Sequence, residues 1–331
     1  MTATTYPRLL ADIGGTNARF GLQLAAGQPV TSLRQLPVAD FAGPAEAAQS
    51  YLAQVSAILG APPAPPRWAA LAVATAVGED RVAFTNSHWD FSRRAVQQAL
   101  GLDGLLVLND FEALALSLPC LDGQQLRCAG DSFTPPRSGT LAVVGPGTGL
   151  GVGAVVHTRS GWVALPGEGG HATLSPADDL DSAVLAAVRG QYAHVSAERL
   201  LSGIGLPLLH QALAQVRGEA APPLDTAAIV TRGADGSDAL CGATLDLFCA
   251  LLGSFAGNVA LTLGARGGLY IGGGIVPRFA DRFLASRFRQ RFEAKGRFEA
   301  YLAAIPTPLI TDTLAALSGT ALAITQAVNA V

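Results

Sequence analysis

Short apolar blocks punctuate this chain, each closed by glycine or a polar turn: Leu9–Ile13, Ala69–Val77, Leu105–Leu108, Thr140–Val144 and Leu269–Ile271. Blocks this short, with little alternation, predict strands buried on both faces of a helix-covered sheet. Two of them turn back at once. Ala18–Leu22 follows the turn Gly14-Gly15-Thr16-Asn17, and Val152–His157 follows Gly145-Pro146-Gly147-Thr148-Gly149-Leu150-Gly151. A further turn at Ala25–Gln28 leads to a third strand, and Val82–Asn86 alternates as an edge or hairpin strand does. Helical stretches lie between. Pro44–Leu59 has helical composition, Ser92 caps a helix through Leu100 stopped by Gly101, and Phe111–Leu118 is helical. Ser175-Pro176 starts a helix to Arg189 with Asp178 and Asp179 in its first turn. Ser196 caps a short helix ended by Gly203, and Pro277 starts another. The segment Pro62–Pro66 stiffens a connection, and 119–139 reads as a loop.

Strand, glycine turn and strand thus occur twice, at 9–22 and 141–157. That weak internal duplication predicts two similar α/β domains with a cleft between them. One stretch competes with this reading. Leu247–Ala265 carries no charge and approaches the length of a membrane span. Ser254, Asn258 and Thr262 form a polar stripe along it, however, and Gly253 and Gly257, four apart, would admit a second backbone. A buried core helix is expected, and no membrane.

Composition changes the picture little. At 331 residues, half of them hydrophobic and 14% charged, the chain is long enough for two cores. A net charge of -3 without long runs argues against nucleic acid. The basic residues of Arg287–Arg297 alternate with Glu293 and apolar positions and read as a solvated helix face. Cys120, Cys128, Cys241 and Cys249 form no Cys-x-x-Cys pair and read as reduced thiols of a cytoplasmic protein. Met1–Pro7 has no apolar signal core.

The candidate chemistry starts where Leu105-Leu106-Val107-Leu108 runs into Asn109-Asp110. Ligands of open α/β sheets gather at the carboxyl ends of such strands. Asp110 alone could equally be a helix N-cap. The glycine turns offer backbone N–H groups to phosphates. Neither has the Gly-Lys-Ser/Thr of a P-loop, and neither has Gly-x-Gly-x-x-Gly opening a helix. What remains is a phosphate held between two hairpins, with Thr16, Asn17 and Thr148 as side-chain donors, or else tight turns with no ligand. Asp12, just before Gly14, would repel a phosphate unless a cation intervened. Mg²⁺ uses one or two carboxylates plus waters and phosphates, which favours a magnesium nucleotide; a turn contact to Gly14 or Gly15 is the alternative.

Several segments together resemble the bacterial glucokinases of the hexokinase–actin–Hsp70 superfamily. They are Asp12-x-Gly14-Gly15-Thr16-Asn17, Asn109-Asp110-Phe111, Gly145-x-Gly147-Thr148-Gly149-Leu150-Gly151, Leu165–His171, His194–Arg199 and Gly272-Gly273-Gly274-Ile275-Val276-Pro277. Ala74–Gly78 lacks the proline the family usually carries there. The resemblance covers nearly the whole chain, from Leu9 to Gly319. It implies two actin-like, ribonuclease H-like α/β domains flanking a deep cleft. The smaller would comprise residues 1–110 plus a C-terminal helix at about 314–331, and the larger residues 111–313. It implies transfer of the γ-phosphate of ATP to the 6-hydroxyl of D-glucose, the product entering glycolysis, by a cytoplasmic homodimer. Asp110 would be the catalytic base. Asn109, Asp110, Glu168, His171 and Glu198 would bind the sugar. Asp12, Gly14, Gly15, Thr16, Asn17, Gly147, Thr148, Gly149, Gly273 and Gly274 would bind ATP, with Asp12 holding Mg²⁺ through water. The other readings are a kinase for a different hexose, a non-catalytic sugar sensor, and a nucleotide-driven chaperone or filament protein, which would lack the Glu168, His171 and Glu198 cluster. A sensor acting as a repressor needs a DNA-binding segment, for which Met1–Pro7 is too short. Zinc at His171 is not expected, because Ala172–Pro176 holds no cysteine.

Overall fold

A computed structural model describes residues 5–59, 64–75, 77–84, 86–128 and 134–329. Pro62 and Pro63 of the proline-rich connection, Ala76, Thr85 and the last two residues of the expected C-terminal helix lie outside the described residues. The chain divides into two units: residues 1–120, 158–166 and 314–331 in the first, and 121–157 and 167–313 in the second.

The first unit is built on a sheet of β1 (Arg8–Ile13), β2 (Asn17–Gln23), β3 (Thr31–Pro37), β4 (Trp68–Val73) and, after a small hairpin of β5 (Arg81–Ala83) and β6 (Asp90–Ser92), β7 (Gly104–Asn109). Its order is β3-β2-β1-β4-β7, with β2 antiparallel to β1 and β3, and β1, β4 and β7 parallel. Successive residues of β1 serve opposite faces. Leu9, Ala11 and Ile13 join a core with Ala47, Tyr51 and Val96 of the helices Pro44–Leu59 and Arg93–Ala99. Leu10 joins Ala70, Leu317, Ala321 and Ile324, the last three from the helix Ala315–Asn329. Leu105 and Val107 against Leu106 repeat the split in β7. Burial on both faces is why these blocks show no clean alternation.

The apolar run at Ala69–Val77 ends as a strand at Val73. Pairing stops there because β1 and β7 stop there: Ile13, Val73 and Asn109 lie side by side, and Thr75 N–H then turns back to Val73 O at 2.8 Å. The strand β11 (Gly161–Leu165) also counts with this unit, where the Gln326 amide donates to Trp162 O at 2.7 Å.

The second unit repeats the plan. After the short β8 (Leu126–Arg127), which the loop reading of 119–139 missed, come β9 (Thr140–Pro146), β10 (Leu150–Thr158), β12 (Leu269–Ile271) and β13 (Leu309–Ile310). Their order is β10-β9-β12-β13-β8. As in the first unit, a glycine hairpin joins two antiparallel strands, and parallel strands extend the sheet from the first of them. The uncharged stretch is the core of this unit. Most of it lies in the helix Ala239–Leu263, which is largely buried, and Gly264 ends that helix at φ 61°. A Cβ on Gly257 would come 2.6 Å from Phe292 O, and one on Gly253 would overlap Phe288 O, so both glycines admit the helix Phe288–Glu293 at backbone distance. The basic run is a solvated face only in part: Arg287 and Arg297 are exposed, but the residue between them that counts is not. Arg291 is buried, donating to Asp178 at 2.5 Å, to Asp181 and to Ser254 Oγ at 3.0 Å. The helix expected from Ser175 begins at Asp179. Asp178 is its cap, accepting from Asp181 N–H at 2.9 Å and so replacing Ser175 as the signal that counts.

Candidate active site

In the first unit the candidate residues gather at one edge of the sheet. Asp12 lies at the carboxyl end of β1 and Asn109 at that of β7, with β4 between, about 10 Å apart laterally at ordinary strand spacing. The hairpin beyond Asp12 is closed by Gly14 N–H donating to Asn17 O at 2.9 Å, with Thr16 exposed at its tip. A Cβ on Gly15 would sit 2.7 Å from Asn86 O, so the turn packs closely on that segment. Asn17 Oδ1 accepts from Gln35 across the strand at 3.1 Å.

Asp12 makes no hydrogen bond to Gly14 or Gly15. Its Oδ2 accepts from Arg19 Nη1 at 3.2 Å. Arg19 is its cross-strand neighbour, a pairing readable in the sequence from their placement on either side of the turn. Burial pushes the Asp12 carboxyl above its usual range, and the Arg19 guanidinium opposes that rise. A lone carboxylate suits Mg²⁺, which retains waters and takes the remaining ligands from phosphates. No cluster of three or more metal-ligating side chains exists among the described residues.

At the end of β7 the sequence leaves open which of two adjacent residues caps the helix. Asn109 is the cap: its Oδ1 accepts from Phe111 N–H at 2.9 Å and Glu112 N–H at 3.4 Å. Its amide donates to Thr75 O at 3.2 Å, which pins the side chain from the other side. Asp110 is therefore the first helical residue of Asp110–Ser117, and its Oδ1 accepts from Phe111 N–H at 2.9 Å. Negative charge is favoured in this first turn.

In the second unit the other candidates also converge. The hairpin between β9 and β10 closes through Gly147 N–H to Gly149 O at 2.9 Å, leaving Thr148 exposed. Its tip rests on the segment after the helix Ala197–Leu200: Gly203 N–H donates to Gly147 O at 2.8 Å. That support was not anticipated from the sequence, where Gly203 served only as a stop. The third glycine turn docks alongside. Gly273, at φ 78°, packs against Pro146 O so closely that any Cβ would overlap it, whereas Gly274 faces open space.

Glu198, in the first turn of its short helix behind the Ser196 cap, reaches this same hairpin. Its Oε2 accepts from Leu150 N–H at 2.9 Å, and its Oε1 lies 3.8 Å from His171 Nε2. His171 closes a single turn, its N–H donating to Glu168 O at 3.0 Å, and both side chains are exposed. Away from these residues, His88 Nε2 lies 2.9 Å from Phe41 O, a partner that can only accept, which fits a structural role.

Comparison with known proteins shows the family. The glucokinase family profile matches residues 9–327. A glucokinase of Chromobacterium violaceum is 49% identical over 316 residues, covering 96% of this chain and 88% of that protein. One from Neisseria meningitidis is 46% identical over 319 residues, covering 96% and 95%. The crystal structure of a glucokinase from an Antarctic psychrotroph superposes with a TM-score of 0.87 at 40% identity, covering 96% of this chain and 98% of that one.

Proposed function

Because the chain belongs to the glucokinase family, we propose that it transfers the γ-phosphoryl group of ATP to the 6-hydroxyl of D-glucose with Asp110 as the base. The observation that supports this most is the division of labour between Asn109 and Asp110. Asn109 caps the helix and holds Thr75, so the Asp110 carboxylate is presented at the strand end on a fixed backbone. Phosphoryl transfer asks little covalent chemistry of a protein; alignment and charge neutralisation carry it. Asp110 orients the 6-hydroxyl and takes its proton as the phosphoryl group arrives. Asn109 contacts the sugar only with what its cap leaves over. Glu168, His171 and Glu198 accept and donate to the remaining hydroxyls, since adjacent sugar hydroxyls suit carboxylates and imidazoles.

The exposed tips at Thr16 and Thr148, with the N–H groups of Gly15, Asn17 and Gly149, line the phosphates; Gly14 and Gly147 close the two turns with their own N–H groups, and Gly273 and Gly274 lie along the adenosine. Asp12 would hold Mg²⁺ through water, and bound there the ion would neutralise the donor phosphates. The low net charge argues against nucleic acid as partner and the absorption of the apolar helix into a protein core against a membrane; a cytoplasmic homodimer is what the family resemblance implies.

Replacing Asp110 by Asn keeps shape and hydrogen bonding but removes the proton acceptor. The expected result is a kcat loss of about 100-fold or more, with ATP binding little changed. Turnover within a few-fold of the parent would reduce Asp110 to a helix-end charge.

A further inference from the structure

Gly149 sits in the hairpin that the nucleotide reading assigns to phosphate, yet its nearest surroundings belong to the sugar side. A Cβ built on it would overlap Glu198 Oε2, the same oxygen that accepts from Leu150 N–H at 2.9 Å. Gly149 does not take a left-handed conformation, so its need for glycine is one of space and not of backbone angle. The backbone of Leu150 is gripped at its carbonyl too. Gly170, next to His171, packs against Leu150 O so closely that a Cβ there would overlap it. The backbone of Leu150 thus has its N–H on one sugar carboxylate and its carbonyl against the loop that carries Glu168 and His171.

We propose that Gly149 is a positioning residue for glucose: its missing Cβ makes room for the Glu198 carboxylate to lock onto Leu150 N–H and turn its other oxygen towards His171. The Gly149 N–H still belongs to the nucleotide hairpin; the empty side-chain position belongs to the sugar. With Oε2 held by the backbone, Glu198 cannot swing, and Oε1 is the atom left to meet a hydroxyl. A displaced carboxylate loses both orientations at once.

This inference rests on the reading of Glu198 as a glucose ligand, and the kinetics of two variants separate the two ideas. In Gly149→Ala the N–H is kept and only a methyl is added. The KM for glucose should rise about 10-fold or more, the scale of a lost hydrogen bond to a charged group, while the KM for ATP stays within about 2-fold. A rise in the ATP constant as large as that for glucose, or no rise in the glucose constant, overturns the proposal. Glu198→Gln run in parallel tests the underlying reading: an unmoved glucose KM there removes Glu198 from the sugar, whatever Gly149→Ala does. Should Gly149→Ala fail to fold, Gly149→Ala/Glu198→Ala no longer contains the overlap and should melt like Glu198→Ala alone. A double variant as unstable as Gly149→Ala also overturns the proposal.

Discussion

Glu168 and Glu198 are both carboxylates of the proposed sugar site but are held differently. Glu198 has one oxygen on a backbone N–H, whereas Glu168 is exposed at the start of a single turn. Changing either to Gln should raise the glucose KM by the equivalent of about 1.5–3 kcal/mol with the ATP KM held, since the lost interaction is a hydrogen bond to a charged acceptor. Steady-state kinetics with each substrate varied in turn checks this; an ATP constant that climbs alone would move these residues to the nucleotide. At this scale the sequence pointed to candidate residues but said little about what holds them. Asn109 and Asp110 are adjacent, and either type caps helices, so only the hydrogen bonds to Phe111 and Glu112 decide between them. The partner of Asp12 was legible in principle, because Arg19 mirrors it across the turn. The contact of Glu198 with Leu150 was not, because it joins segments whose approach depends on tertiary packing.

Glycines placed between helices set how closely elements meet. A Cβ on Gly319 would overlap Ala113 O and come 2.9 Å from Ser117 N, so this glycine brings the helix Ala315–Asn329 against the helix that begins at Asp110. Gly319→Val should destabilise by about 1–3 kcal/mol, the usual range for overpacking, and should lower kcat as well by shifting the helix that carries Asp110. A thermal melt alongside kinetics reads both; an unchanged melting temperature would mean the helices separate freely. The spacing of Gly253 and Gly257 announced the same device in the core helix, because four residues bring both to one face. The ion cluster beneath that helix was misread. Composition made Arg287–Arg297 look solvated, but Asp178 and Asp181, the partners that bury Arg291, lie more than a hundred residues away. Asp181→Leu would leave a buried guanidinium short of a partner, at a cost of about 3–5 kcal/mol in denaturant unfolding. The effect should shrink when Arg291→Met is added, and equal losses in the single and double variants would show that the pair contributes by shape alone.

Across the whole chain, the repeated hairpin pattern at 9–22 and 141–157 anticipated two sheets of like order, each opening on a glycine turn. Periodicity alone does not show which helices cover each sheet, since a two-sided apolar block looks the same whatever lies on it. In the first unit one face of the sheet, at Leu10, Ala70 and Leu106, is covered by a helix more than two hundred residues further along. Arg8 stitches the two together, donating to Thr325 Oγ1 at 2.7 Å and Ala321 O at 3.2 Å. Burial of Leu317 and Ile324 alone contributes about 3–6 kcal/mol, a large part of the roughly 5–15 kcal/mol by which a domain is stable. A chain ending at Thr313 should therefore lose the cooperative unfolding of its first unit and with it kcat, because Asp12, Asn109 and Asp110 all depend on that sheet. Supplying residues 314–331 as a separate peptide should restore part of both, limited by the added association cost. Full activity and an unshifted melt in the shortened chain would show that the sheet does not need this cover.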